Sequence, residues 1–115
     1  MAGRGHTGPK TLAIASCSNY PFGHFNAYEA IARDRSIEWV LHLGDYIYEY
    51  DREGYASEQA QALGRVSEPA NELLSLADYR TRYAQYHADP DLQACLLDRL
   101  AGCRDRRRLV NLAIT

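Results

Sequence analysis

No apolar run in this sequence approaches the roughly 20 residues that a membrane-spanning helix needs, so no membrane span is expected. Cysteine is scarce and odd in number: Cys17, Cys95 and Cys103, with no C-x-x-C pair among them. That pattern fits neither a disulfide framework nor a structural zinc site, and it leaves at least one thiol free. Charge of one sign is lacking as well, since 13 basic residues face 15 acidic ones for a net charge of -2 and a pI near 6.0. Such a balance supplies no overall basic field, and nucleic acid is not expected as a partner. Residues 1–10 contain neither the apolar core of a secretory signal nor a twin-arginine pair, so they carry no legible address and read as a Gly-rich flexible leader. Internal repeats are missing. At 115 residues the chain is expected to form one domain at most, with a modest core that does without disulfide staples.

What the sequence does hold is organised around Ser36 to Tyr50. Ile37 to Leu43 is a β-branched and apolar run that predicts a buried strand, and it breaks at Gly44 to present Asp45 on the following loop. The carboxyl ends of strands in an open α/β sheet line the crevice where ligands sit, because neighbouring loops converge there. Upstream, Thr11 to Ser16 predicts a second short strand, which delivers Cys17 to its own carboxyl end. Between the two, Phe25, Tyr28, Ile31 and Ala32 recur at helical spacing before polar Asp34-Arg35-Ser36. The unit is β-α-β. A right-handed crossover lays such strands side by side and parallel, about 4.8 Å apart, which makes Cys17 and Asp45 neighbours. The competing reading has Cys17 as a small buried hydrophobe and Asp45 as a turn residue, and pattern alone does not choose between them.

Beyond Asp45, the alternation of Tyr46, Tyr48 and Tyr50 suits either a continuing amphipathic strand or a helically turning loop that brings Tyr48 over Asp45. Residues 51–71 read as a long connection of the kind used for lids or mobile segments. Arg65 lies within it, placed either to meet a phosphate of a substrate or simply to meet water. Ser75 with Asp78 predicts a helix start, and Leu76, Tyr79, Tyr83 and Tyr86 mark a packing stripe running to about Ala88. Asp89-Pro90 opens another helix carrying Leu92, Cys95, Leu96 and Leu100. From there Arg99, Arg104, Arg106, Arg107 and Arg108 crowd ahead of an apolar end, Leu109 to Thr115, that reads as a further strand. Such a charge run is a solvated face or, less usually, a nucleic-acid contact.

Thiol, carboxylate and phenol form an unusual donor set. Cys17, Asp45 and Tyr48 would together suit a strongly polarising ion such as ferric iron, with the carboxylate free to bridge to a second divalent ion. A phenol or a thiol ionises readily beside such a charge, so metal and ligands would support one another.

Several segments carry a family resemblance. Ala15 to Tyr20, Phe25 to Tyr28, Leu41 to Tyr50, Leu76 to Arg80 with Arg82-Tyr83, and Asp89 to Ala94, in that order and at those separations, resemble the PhoD-like alkaline phosphatases. The resemblance spans residues 11–94, leaving 95–115 as a divergent arginine-rich tail. It implies a calcineurin-like metallophosphoesterase, a β-sandwich flanked by helices that hydrolyses phosphate mono- and diesters. By that resemblance Cys17 and Tyr48 correspond to iron ligands and Asp45 to the bridging carboxylate, with calcium as the other metal. Members of the family are typically exported. The family's Asp-Asp-His-Glu strand and its later histidine-containing ligand loops have no counterpart here, as in a truncated or frame-shifted product. The expectation is therefore an α/β fragment holding the first β-α-β unit and two helices, with Fe3+ and Ca2+ at an incomplete site and impaired turnover of phosphate esters. The alternative is a non-catalytic remnant or small interaction module that self-associates through exposed apolar strand edges.

Overall fold

A computed structural model describes residues 8–101 and 109–111, with the backbone alone described for 97–101 and 109–111. Strand β1, Thr11–Ala15, pairs in parallel with β2, Ile37–His42, in a register that sets Ala13 beside Val40 and Ala15 beside His42. Helix α1, Asn26–Arg33, makes the crossover, preceded by a 3-10 turn over Tyr20–Phe22. The β-α-β unit thus stands as the apolar spacing predicts. A short strand β3, Leu109–Asn111, pairs in parallel with the other side of β2, giving the order β1-β2-β3 among the described residues. It falls at the start of the expected terminal strand. Residues 1–7 of the expected leader, Cys103, Arg104 to Arg108 and residues 112–115 lie outside the described residues.

Alternation decides which face of the sheet is covered. Val40 is buried in a core shared with α1 and helix α4, Pro90–Ala101, His42 is buried beside Tyr28 of α1, and Ala13 and Ala15 extend the same face. The core they form holds Phe25, Tyr28, Ile31, Ala32, Val40, Tyr86, Leu92 and Cys95. Each large member contributes about 1.5–3 kcal/mol by leaving water. Leu12 and Ile14 point to the opposite face and stay 49% and 62% exposed.

Helix α3, Leu76–His87, begins as the Ser75/Asp78 pattern predicts, with a reciprocal capping box. Its buried face keeps only Tyr86 of the expected stripe and adds Arg82. Leu76 and Tyr83 are exposed, and the residues turned inward are Arg82 and Tyr86, one helical turn apart. The reason is what Arg82 does there. Its Nε donates to Glu68 O at 2.8 Å, its Nη2 to Tyr50 O at 3.0 Å and to Pro69 O at 3.1 Å, and its Nη1 to Tyr48 O. Residues 51–71, expected as a lid, are in this way tied to α3, and Gln85 adds contacts with Val66 O and the Glu68 N–H. A single turn of helix, α2 at Ala60–Leu63, interrupts the segment.

Candidate metal centre

The two strands end together, and their loops remain hydrogen-bonded after regular pairing stops. The Leu43 N–H donates to Ala15 O at 2.9 Å, the Cys17 N–H to Gly44 O at 3.1 Å, and the Ser18 N–H to Asp45 O at 2.9 Å. This geometry takes unusual backbone angles: Gly44 has φ of 131°, a value open in practice to glycine alone, while Cys17 and Asp45 sit at φ of 60° and 52°. A non-glycine residue in the left-handed region costs on the order of 1–3 kcal/mol, and such strain gathers at functional sites. Here two strained residues face each other. Their side chains meet, with Cys17 Sγ 3.8 Å from Asp45 Oδ2, and both are open to solvent.

Tyr48 completes the group. Residues 46–50 form neither of the expected alternatives, since no strand or helix covers them. The loop is shaped instead by Arg82 on Tyr48 O and by the Tyr86 hydroxyl, which accepts from the Tyr48 N–H at 3.3 Å and from the Tyr20 N–H at 3.1 Å. Tyr86 is wholly buried and so pins the loop after β1 to the loop after β2. Burial pushes the Tyr48 phenol well above its ordinary range, and its hydrogen bond with Cys17 and the charges of Cys17 and Asp45 push the same way. Only a cation beside it would make that oxygen a phenolate. The Tyr48 ring stacks on Tyr55, centroids 6.4 Å apart, and the Tyr55 carbonyl accepts from Asn19 Nδ2. Asn19 Oδ1 is buried with no hydrogen-bond partner among the described residues.

Beneath the loops lies His42, 2% exposed. Nothing singled it out in the sequence beyond its position in β2, two residues after Val40 and hence on the covered face. Its Nδ1 accepts from the Gly44 N–H at 3.3 Å and its Nε2 is 3.0 Å from Ser18 Oγ, which also bonds the buried Tyr28 hydroxyl. Burial lowers the imidazole pKa, against the pull of Asp45.

Arg65 occupies a different place from the one a lid residue would have. It is 5% exposed, with Nη1 2.7 Å from Asp89 Oδ2, Nε donating to Tyr20 O at 2.7 Å, and the guanidinium carbon 3.8 Å from the Tyr20 ring centroid. A buried carboxylate and two aromatic faces, Tyr20 and Phe25, hold the cation inside, with Nη2 left without a hydrogen-bond partner among the described residues. Asp89 meanwhile caps α4 through Oδ1, as its sequence position predicts.

The donor chemistry fits part of a metal site. A thiol, a carboxylate and a phenol converge, yet among the described residues no three His, Cys, Asp or Glu side chains form a ligating cluster. Further ligands would have to complete the shell.

A parallel β-α-β unit whose strand ends bring a strained thiol and carboxylate face to face is an α/β protein with its site at the carboxyl edge of the sheet. A family model described as PhoD-like phosphatase matches residues 12–98, and the chain belongs to that family. Alkaline phosphatase D of Bacillus subtilis (strain 168) is 43% identical over 84 residues, covering 73% of this chain and 14% of its own length. A solved structure titled Structure of PhoD superposes with a TM-score of 0.66 at 41% identity, over 75% of this chain and 16% of that one. The chain therefore spans a small part of the proteins it is similar to.

Proposed function

We propose that this chain carries one wall of a metal centre for the hydrolysis of phosphate mono- or diesters. The observation that carries the reading is the apposition of Cys17 Sγ and Asp45 Oδ2 at 3.8 Å, beside the Tyr48 phenol. Membership of a phosphatase family supplies the reaction class. Cys17 and Tyr48 would hold ferric iron, and Asp45 would share its carboxylate between that ion and calcium. The ions would supply a nucleophilic oxygen at neutral pH and charge to offset the departing alkoxide. The chain's own residues do the holding: Gly44 and Asp45 grip the loop after β1 through the Cys17 and Ser18 amides, and Tyr86 and Arg82 set the height of Tyr48. With three donors in place, turnover of this chain alone is expected to be low.

Titration of the purified chain with Fe3+, followed by the visible thiolate- and phenolate-to-iron absorption, tests the ligand assignment. Cys17→Ala, Asp45→Asn and Tyr48→Phe should each weaken binding by about tenfold or more, and Tyr48→Phe should remove the phenolate band. Binding indifferent to all three substitutions would end the proposal. Release of p-nitrophenol from p-nitrophenyl phosphate by the Fe3+- and Ca2+-loaded chain should be slow, and Cys17→Ala should abolish it.

A second reading rests on the sheet's open face. Parallel sheets are ordinarily covered on both sides, and Leu12 and Ile14 are not. This favours an interaction module whose partner is a second copy of the chain.

A further inference from the structure

We propose that His42 is the positioning residue of the centre, the side chain that fixes the relative placement of Cys17 and Asp45. The inference rests on the metal-centre reading for its functional meaning, while its structural content stands separately. The Gly44 N–H donates to Nδ1, so the neutral ring carries its proton on Nε2 and donates to Ser18 Oγ. One rigid five-membered ring therefore spans the two loops. Ser18 is next to Cys17 in the chain and Gly44 is next to Asp45, so each gripped residue adjoins a donor. The ring itself has little freedom. It is 2% exposed, the Tyr28 ring stacks on it at 26° with centroids 6.5 Å apart, and the Tyr46 ring meets it edge-on at 5.0 Å. Tyr28 belongs to α1, and its hydroxyl reaches Ser18 Oγ, so the crossover helix enters the same network.

This arrangement answers a physical problem of the site. Cys17 and Asp45 sit at positive φ, where both would relax toward ordinary backbone if nothing held them. The hydrogen bonds from the Cys17 N–H to Gly44 O and from the Ser18 N–H to Asp45 O tie the loops to each other through the backbone. His42 holds the same two loops from beneath, in a dry position where a hydrogen bond is stronger and a missing partner costs more. A residue that only filled space there would need no nitrogen on either side.

The test uses the full chain with His42→Phe, which keeps an aromatic ring and removes both nitrogens, and His42→Gln, whose amide can still donate to Ser18. Amide hydrogen exchange is read at Cys17 and Ser18 and at the β1 and β2 interior, and Fe3+ affinity is read by titration. His42→Phe should speed exchange at Cys17 and Ser18 by about tenfold or more while the strand interior is unchanged, and should weaken Fe3+ binding by about tenfold or more. His42→Gln should recover part of both. Exchange that rises equally throughout the sheet would reduce His42 to a packing residue, and unchanged exchange at Cys17 and Ser18 would overturn the proposal outright. Should His42→Phe fail to fold, Ser18→Ala removes the Nε2 contact and is expected to give the same local pattern. Fe3+ binding absent from the unsubstituted chain would sink the metal reading alone, because the exchange arm still reports on His42.

Discussion

Arg82 and Arg65 are both buried cations, and they are held in different ways. Arg82 is 1% exposed and spends its guanidinium on four backbone carbonyls, so it acts as a fastener for the 46–50 loop and the 66–70 segment. A lysine has the charge without the planar fork. Arg82→Lys should therefore strand several carbonyls and destabilise the chain by about 3 kcal/mol or more, read as a lowered denaturant midpoint with unchanged slope. Because Tyr48 O is one of those carbonyls, the same substitution should also weaken Fe3+ binding. Arg65 is held by one carboxylate, and both partners of that pair are almost wholly enclosed. Asp89→Ala leaves the cation unpaired and uncaps α4, a loss of roughly 4 kcal/mol or more that chemical denaturation would register.

At the scale of elements, α3 joins a sequence-encoded start to an end set by its surroundings. Ser75→Ala removes one side of the capping box and should lower stability by about 1 kcal/mol, visible as a drop in thermal midpoint. At the other end His87 sits where the helix dipole favours a charged imidazole, yet burial holds its pKa below the ordinary 6.5. It is packed under the Tyr83 ring at 4.0 Å and its Nε2 is 2.8 Å from the Tyr46 hydroxyl. His42 is shifted downward for the same cause. Lowered histidine pKa values mean that the unfolded chain binds more protons than the folded one just below pH 6.5. Stability from these groups is whole above that pH and declines as pH falls through it toward the folded values. Thermal midpoints measured between pH 7.5 and 5.5 should fall, and His87→Asn should flatten the fall.

At the scale of the molecule, the described residues form a sheet with one covered face. Leu12 and Ile14 leave a hydrophobic surface on the other side, and β1 is an edge strand. Sedimentation velocity should show concentration-dependent self-association, and Ile14→Lys should shift the chain toward monomer without changing its circular dichroism. A monomer at all concentrations would remove the interaction-module reading.

Much of this architecture was legible in the residues. Apolar spacing marked both strands and α1, Ser75 with Asp78 and Asp89 with Pro90 marked two helix starts, and glycine after a strand marked where a carboxylate would be presented. These are local signals, written in neighbours along the chain, and local chemistry reads them without a fold. Parallel pairing followed from the helical crossover between the two strands, which is why Cys17 and Asp45 could be placed on one edge in advance. The rest depended on partners far away in the sequence. Arg65 read as a cation for a phosphate or for water until Asp89, Tyr20 and Phe25 surrounded it, and of the stripe of Leu76, Tyr79, Tyr83 and Tyr86 only Tyr86 is fully buried, sharing the inner face of α3 with Arg82, whose donors meet carbonyls far off in the sequence. His42 read as one more strand residue, and only packing showed its two nitrogens spanning two loops. Spacing along the chain determines which elements form and where they end; which polar groups are buried together is decided by tertiary contact, because a hydrogen bond or ion pair has no sequence signature when its halves lie dozens of residues apart.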